Sequence, residues 1–239
     1  MAANLDTPLQ QRVLAVDDDG AIRDVVRLYL ENAGFYVWTA AGGAEALAMI
    51  RERGLPHLAI VDLDMPGMTG FEFCHTVLGF SDLPMIILTA TQDEDVVVEG
   101  IQQYAEDYVT KPFSPRELVA RTQRVLRRIG DFKYTLAAEI NVDEHLAVDF
   151  ANQRARVDGN VVELTPTESK LLYLLMRNGG STVLTDFLLR RLWPQQDVFE
   201  DALRVHIRHL RQKIERDPSS PTYLLTERGM GYRFIAPYL

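Results

Sequence analysis

The chain has 239 residues, of which 47% are hydrophobic and 25% are charged, so it is long enough for two globular domains. The N-terminal segment MAANLDTPLQQ has no basic start before an apolar run, and no apolar stretch reaches the about 18 residues of a membrane helix. We therefore expect a cytoplasmic protein. The one cysteine, Cys74, excludes an internal disulfide and argues against a thiolate metal site, so we expect a small buried side chain there.

The net charge of −9 is unevenly distributed along the chain. Residues 1–130 hold 19 acids and 11 bases, whereas residues 131–239 hold 15 acids and 14 bases. Nucleic-acid binding depends on the field at the contact face rather than on the charge of the whole chain. An acidic total therefore does not exclude it, and a basic contact face is expected in the second half.

The first half alternates short β-rich apolar runs with amphipathic stretches, which gives five βα units. The strands are predicted at RVLAVDD, YVWTA, HLAIVDLD, PMIILTA and DYVTK, and the last helix at SPRELVARTQRVLRRI. Such alternation is typical of an α/β doubly wound parallel sheet with helices on both faces. Ligands of such sheets collect at the carboxyl ends of the strands.

Polar side chains follow four of these predicted strands. Carboxylates, a hydroxyl and an ammonium group are expected to meet at one edge of the sheet, from Asp17, Asp18, Asp19, Asp62, Asp64, Thr89 and Lys111. Several carboxylate oxygens can hold Mg²⁺, which neutralises charge on a moving phosphoryl group. The pattern therefore favours phosphoryl transfer to a carboxylate.

Residues 11–129 resemble the receiver domain of bacterial two-component response regulators, through VDDD, VDLDMPGMTG, ILTAT and DYVTKPF in this order. The resemblance implies a flavodoxin-like (βα)5 fold with strand order 2-1-3-4-5 and Asp62 as the phosphoacceptor. It implies Mg²⁺ (or Mn²⁺) held by Asp17, Asp18, Asp62 and the carbonyl of Asp64, with Asp19 behind these ligands. Lys111 would contact the phosphoryl group, and Thr89 and Tyr108 match the family's switch pair. The Lys111-Pro112 bond is usually cis in the family.

The resemblance also implies that the phosphorylated receiver dimerises through its fifth strand and the helices on either side of it. The interface residues would be Val97, Ile101, Asp107, Glu117, Val119 and Arg121. Relatives carry a basic residue where this chain has Val97, so one cross-subunit ion pair has lost its cation. A second pair, Asp107 with Arg121, is retained.

DLDM also resembles the Asp-x-Asp motif of haloacid-dehalogenase-type phosphatases, which would make the chain an enzyme. Those proteins place the motif near the start of the chain and their metal-binding acids after it. Here the acid cluster precedes the motif by about 45 residues. This order argues against a phosphatase.

We predict a receiver domain at 1–129, a linker at 130–139 and a second domain at 140–239, where the apolar spacing changes to two. RARVDGNVVELT predicts two strands about an Asp-Gly turn. TPTESKLLYLLMRNGG predicts a helix with Thr165 as N-cap, Pro166 at the first position and Glu168 completing a capping box, ending at Gly179. A second helix, DFLLRRLW, stops at Pro194.

The third helix of this domain is predicted at EDALRVHIRHLRQKIERD, followed by a hairpin, YLLTERGMGYRF, with Arg228 at its tip. Leu203, Ile207, Leu210 and Ile214 recur at helical spacing and form a core stripe. Arginines lie on one flank, although a solvated charged face is the commoner explanation for such a pattern. Three helices and a hairpin make an α+β winged helix-turn-helix.

Residues 140–239 resemble the OmpR/PhoB-type effector domain through LTPTESKLL, RVHIRHLRQKIE and TERGMGYRF. The resemblance places the third helix in the major groove and Arg228 in the minor groove. The implied DNA-binding residues are Trp193, Arg204, Val205, His206, Arg208, His209, Arg211, Thr226 and Arg228. His209 stands where Arg is frequent in relatives, and Asp201 stands where many have a phosphate-contacting Arg.

The sequence is therefore interpreted as a phosphorylation-dependent, DNA-binding transcriptional regulator of a two-component system. It would accept a phosphoryl group on its own aspartate and would not be a turnover enzyme. The implied partners are a sensor histidine kinase, double-stranded promoter DNA, a second copy of the chain on phosphorylation, and RNA polymerase through the loop PQQDVFE. The alternative is a DNA-binding regulator that works independently of phosphorylation.

Overall fold

The computed structural model describes residues 10–90, 105–129, 138–194, 196 and 198–236. Its contacts divide the chain into two compact units, with the parallel sheet in the first and two antiparallel sheets in the second. None of the helices within these ranges is long and apolar enough to cross a membrane.

The parallel sheet has five strands in the order β2-β1-β3-β4-β5, which confirms the predicted receiver topology. The strands are β1 (Arg12–Val16), β2 (Tyr36–Ala40), β3 (Leu58–Asp62), β4 (Met85–Thr89) and β5 (Asp107–Thr110). All neighbouring pairs are parallel. Every residue of β3 and β4 is buried, as continuous apolar runs predict for central parallel strands.

Four helices are described in the first half of the chain: α1 (Gly20–Asn32), α2 (Gly43–Arg53), α3 (Gly70–Phe80) and α4 (Pro115–Ile129). The side chain of Asp19 caps α1 by accepting from the amides of Ala21 and Ile22. Apolar positions of α1 and α4 recur at helical spacing, so both helices bury one stripe against a shared core. That core includes Val26, Leu30, Leu118, Val125 and Leu126 with side chains from the sheet.

Cys74 lies in α3 and has no exposed surface. Burial raises the pKa of its thiol to about 12. The expectation of a small buried side chain is confirmed.

The C-terminal part of the second unit begins with a four-stranded antiparallel sheet in the order β6-β7-β8-β9. Its strands are β6 (Ile140–Asn141), β7 (Leu146–Asp149), β8 (Arg154–Val157) and β9 (Asn160–Glu163). The predicted Asp-Gly turn joins β8 to β9, with φ of 47° at Asp158 and 82° at Gly159. Two successive left-handed residues are the geometry that a two-residue hairpin loop requires.

Three helices follow: α5 (Pro166–Arg177), α6 (Thr185–Leu192) and α7 (Glu200–Ile214). The predicted capping box of α5 is present, since Thr165 and Glu168 each accept from the other's backbone amide. The helix ends at Arg177 with Asn178 as C-cap, rather than at the predicted Gly179. Strand β10 (Val183–Leu184) joins β11 (Leu224–Glu227) and β12 (Gly231–Phe234) in the order β10-β12-β11, which completes the predicted winged helix-turn-helix.

Glu168 is buried and also accepts from Lys213 of α7 at 2.6 Å. Burial raises the pKa of Glu168, but the hydrogen bonds from Lys213 and Thr165 together outweigh it, and the net pKa lies below the ordinary value. An acid whose pKa is lower in the folded chain than in the unfolded chain stabilises the fold at pH values above its unfolded pKa. This stabilisation is lost as the pH falls through the folded pKa.

We therefore expect Glu168→Gln to destabilise the chain by about 1 to 3 kcal/mol at neutral pH and by less at about pH 4. The measurement is urea unfolding at both pH values, with Glu163→Gln as a control because Glu163 is an exposed carboxylate at the end of β9. A loss of stability that is equal at the two pH values would contradict the role of the charge.

Candidate functional site

Three carboxylates meet at the carboxyl edge of the parallel sheet. Asp17 directly follows β1, Asp62 ends β3, and Asp18 extends toward solvent beside them. Asp17 and Asp62 are 2% and 3% exposed, which is costly for carboxylates unless cations or donors compensate them. Each of the three offers a carboxylate oxygen, and these oxygens lie within 4.8 Å of one another.

Lys111, one residue after β5, provides the compensating cation. Its Nζ lies 2.8 Å from Asp17 Oδ2 and 2.9 Å from Asp62 Oδ2. Its backbone amide donates to the carbonyl of Thr89 at 2.7 Å, which fixes the end of β5 against the end of β4. The following Lys111-Pro112 peptide bond is cis, as predicted. The acids and the ammonium group therefore lie together at one edge of the sheet, and Thr89 ends the neighbouring strand β4.

The pKa values of Asp62 and Lys111 follow from the burial of both side chains and from the contact between them. Burial raises the pKa of Asp62, and the hydrogen bond and charge of Lys111 only partly offset this. Burial lowers the pKa of Lys111, but hydrogen bonds with Asp17 and Asp62 outweigh burial, and the net pKa is raised. Lys111 therefore stays an ammonium group beside a carboxylate that holds its proton more strongly than an exposed aspartate does.

The loop that carries the first two acids is fixed by its own hydrogen bonds. Asp17 Oδ1 accepts from the amide of Asp19 at 2.9 Å, and Asp19 in turn caps α1. Arg23 donates from Nη1 to the carbonyl of Asp17 at 2.6 Å. Asp19 thus connects the loop to α1, and Arg23 is a residue that the sequence analysis missed.

Gly70 lies against the backbone of Asp62 at the start of α3. A Cβ on Gly70 would lie 2.1 Å from the carbonyl oxygen of Asp62, closer than real Cβ contacts come. Only glycine therefore lets α3 begin at this distance from Asp62.

The remaining receiver residues are placed as follows. Thr89 is 1% exposed at the end of β4, and Tyr108 of β5 is 39% exposed. Asp64 is exposed, and a backbone hydrogen bond from it reaches the carboxylate of Asp62. Of the predicted interface residues, Val97 and Ile101 lie outside the described ranges, and Val119 is partly buried against the core.

The charged interface residues pair within the chain. Arg121 donates to both carboxylate oxygens of Asp107 at 3.0 and 3.1 Å and to Glu117 at 2.7 and 2.9 Å. Arg124 also contacts Asp107, at 2.6 Å. The pair that the resemblance places between subunits is thus already satisfied inside one chain.

In the second unit, the predicted stripe of α7 is buried, with Leu203, Ile207, Leu210 and Ile214 at 0 to 2% exposure. On the opposite face, some side chains have hydrogen-bond or ion-pair partners among the described residues and others have none. Arg208 and Arg228 have no hydrogen-bond or ion-pair partner among the described residues, and Val205 is 49% exposed. Together with the exposed His209, these residues form an exposed surface of polar and apolar side chains on α7 and on the turn between β11 and β12.

Other predicted DNA-binding residues are engaged inside the domain. Arg211 donates to the carbonyl of Leu224 at 2.6 and 3.0 Å and to Thr226 Oγ1 at 2.9 Å, which ties α7 to β11. The rings of Trp193 and His206 lie 5.5 Å apart, and burial lowers the pKa of His206.

Glu215, the C-cap of α7, provides a second connection between α7 and β11. Its buried carboxylate accepts from Thr222 N, Tyr223 N and Leu224 N at 2.7 to 3.1 Å and from Thr222 Oγ1 at 3.1 Å. Sequence reasoning missed Glu215, since a glutamate at the end of a basic helix gives no signal that distinguishes it from a solvated one.

Two family comparisons agree with this geometry. Residues 13–123 match the response regulator receiver domain, and residues 159–234 match the C-terminal domain of transcriptional regulatory proteins. The chain belongs to the OmpR/PhoB-type response regulators, which are two-component transcriptional regulators with a DNA-binding domain.

The chain is 36% identical to the DNA-binding response regulator MtrA of Mycobacterium leprae, over 96% of this chain and 100% of MtrA. It is 39% identical to the transcriptional regulatory protein AfsQ1 of Streptomyces coelicolor, over 94% of this chain and 98% of AfsQ1. The solved structure of DrrB, a Thermotoga maritima OmpR/PhoB homolog, is 29% identical, covers 95% of this chain and 99% of its own, and has a TM-score of 0.46.

Proposed function

We propose that phosphorylation of Asp62 by a sensor histidine kinase controls DNA binding by the second unit. The observation that carries this proposal is the position of Lys111, whose Nζ lies within 2.9 Å of the carboxylates of both Asp17 and Asp62. An ammonium group at this place can stabilise the charge of a phosphoryl group on Asp62.

The acid cluster fits a metal ion, because its oxygens lie close together and carboxylates are the ligands that Mg²⁺ prefers. Asp17, Asp18 and Asp62, with the carbonyl of Asp64, would hold Mg²⁺ (or Mn²⁺). The ion would supply neutralising charge for phosphoryl transfer. The residues of the chain itself orient the acceptor: Arg23 and Asp19 fix the acid loop, and Lys111 holds the Asp62 carboxylate.

The same proposal assigns Thr89 and Tyr108 to the switch. The hydroxyl of Thr89 is buried beside the strand ends, where it can move toward a phosphoryl group on Asp62. Tyr108 is exposed, so an inward turn of its ring would bury apolar area that is now in solvent. Phosphorylation would in this way alter the surface around β5.

For DNA we propose that α7 enters the major groove and the wing enters the minor groove. Arg208, His209 and Val205 are exposed on α7, and Arg228 is exposed at the turn between β11 and β12. RNA polymerase is the proposed partner of the loop before α7, where Phe199 is 81% exposed. Residues 195 and 197 of this loop lie outside the described ranges.

The DNA-binding proposal is tested by comparing how substitutions in α7 and in the turn between β11 and β12 change DNA binding. We expect Arg208→Ala and His209→Ala to relax the preference for bases inside the half-site by about 1 to 3 kcal/mol, because base-edge contacts discriminate between bases. Arg228→Ala is expected to weaken binding most at sites with A/T-rich flanks, because narrow minor grooves attract arginine. Binding is measured with duplexes that vary inside or outside the half-site. Equal weakening on every duplex by all three variants would show that these residues contact only phosphates.

Dimerisation on phosphorylation is proposed for the face around β5 and α4. Since Asp107, Glu117 and Arg121 already pair within one chain, cross-subunit pairing would exchange ion pairs rather than add them. Exposed ion pairs also contribute only about 0 to 1 kcal/mol and are screened by salt.

We therefore expect the dimer formed with beryllofluoride to depend only weakly on ionic strength. The measurement is sedimentation equilibrium of the full chain at low and high salt. Steep dissociation as salt rises would show that newly formed ion pairs dominate the interface, and a chain that stays monomeric would contradict dimerisation itself.

A further inference from the structure

Arg204 of α7 differs from the other arginines of the DNA-binding face because acidic side chains of its own helix hold it. Nη2 donates to Glu200 Oε2 at 2.9 Å, and Nη1 donates to Asp201 Oδ1 at 3.2 Å. The charge of Arg204 also acts on Tyr232 of β12, whose pKa burial raises. The Arg204 side chain nevertheless remains 63% exposed.

These contacts leave part of the guanidinium free. A guanidinium carries five N–H donors, and two hydrogen bonds leave three. Two donors are what a guanine requires in the major groove, one for O6 and one for N7. The first turns of a recognition helix are also the part that reaches base edges, and Arg204 lies there, at the fifth position of α7.

We propose that Glu200 and Asp201 are positioning residues that hold Arg204 for a bidentate contact with guanine. The proposal rests on the proposed DNA-binding function and names one base that it reads. A guanidinium held in one geometry loses less conformational entropy on binding than a free one, so its contact is stronger and more selective.

The two carboxylates have a second effect, on binding to DNA of any sequence. They place negative charge where the first turn of α7 approaches the DNA backbone, so they disfavour contacts that depend on phosphates alone. Arg208 and Arg228, which have no such partners within the described ranges, remain available for phosphates. Neutralising either acid should therefore have two opposite consequences: tighter binding to unrelated DNA and weaker preference at the guanine.

The test is selection of bound duplexes from a random library by the full chain with beryllofluoride, followed by affinity measurements on the selected and a scrambled duplex. The proteins are the unmodified chain, Arg204→Ala, Asp201→Asn, Glu200→Gln and, as a control for charge, Glu163→Gln. Glu163 is an exposed acid of β9 without contact to Arg204. Thermal unfolding of each variant verifies that it is folded.

We expect Arg204→Ala to remove a preference for guanine at one base pair, a loss of about 5- to 150-fold in discrimination. Asp201→Asn and Glu200→Gln should each lower discrimination at that same base pair by about two- to fivefold, the range of an exposed ion pair. Both should bind the scrambled duplex more tightly than the unmodified chain, while Glu163→Gln changes neither quantity.

Two results would overturn the inference while leaving the proposed DNA binding intact. The first is an Arg204→Ala variant that keeps every base preference, which would show that Arg204 only pairs with the acids of its own helix. The second is a pair of acid variants that keep the guanine preference of the unmodified chain. Failure of the unmodified chain to select any sequence would instead refute the proposed function, and the inference with it.

Discussion

Asp62→Asn is expected to abolish phosphorylation of the chain by acetyl phosphate and Mg²⁺, whereas Asp64→Asn is expected to leave it phosphorylated. Asp62 is buried at the end of β3 and contacts Lys111 at 2.9 Å, while the side chain of Asp64 is exposed. Unlike the Asp64 carboxylate, the Asp62 carboxylate lies where the ammonium group and the other acids of the cluster can act on the transferred group.

The measurement is intact-protein mass spectrometry after trapping of the acyl phosphate, which is converted to a stable derivative before digestion locates it. Asp64→Asn is the matched control, since it removes a carboxylate two residues away from the same loop. Full labelling of Asp62→Asn would refute the assignment of Asp62. Loss of labelling in both variants would show that the loop, rather than one carboxylate, is required.

Glu215→Ala is expected to cost about 3 kcal/mol of the free energy of unfolding and to weaken DNA binding. The substitution removes the acceptor for three backbone amides, at Thr222, Tyr223 and Leu224. Buried donors that lose their partner cost about 1 to 3 kcal/mol each, and water can replace part of the loss at the exposed Thr222. Because Glu215 caps α7, the end of this helix would lose one of its connections to β11.

Urea unfolding measures the stability, and native-state hydrogen exchange at Tyr223 and Leu224 shows whether the loss is local. Glu163→Ala, at an exposed glutamate, is the control and should change the free energy of unfolding by less than about 0.5 kcal/mol. A Glu215→Ala variant as stable as this control would show that solvent already satisfies the three amides.

Much of the receiver could be predicted because its chemistry follows local patterns. Four of the five strand ends carry a characteristic residue, and the parallel topology alone brings Asp17, Asp62 and Lys111 together. The capping box at Thr165 and the turn at Asp158 were predictable for the same reason, since each depends on residues at most three positions apart.

What could not be predicted depends on contacts between residues that are distant in sequence. Arg211 was predicted on the DNA-facing flank, but its guanidinium reaches the carbonyl of Leu224 in β11. Helical periodicity places a side chain on a face and says nothing about which strand packs beside that face. The same applies to Lys213, whose partner Glu168 lies 45 positions away.

Arg121 illustrates a different limit of the sequence analysis. The resemblance indicates that Asp107 and Arg121 can pair, but a sequence cannot distinguish pairing within one chain from pairing between two. The structure places both carboxylate oxygens of Asp107 within 3.1 Å of Arg121 in the same chain. Whether Arg121 pairs within its own chain depends on how β5 and α4 pack against each other. The spacing of residues along the sequence does not determine this packing.

The buried position of Cys74 makes the chain convenient for labelling experiments. It is the only cysteine, and its thiol lies in α3 without exposed surface and with a pKa of about 12. Alkylating reagents attack thiolates that they can reach, so the folded chain should resist them. A cysteine introduced on the wing would then carry a fluorophore alone, and slow modification of Cys74 itself would report how often α3 opens.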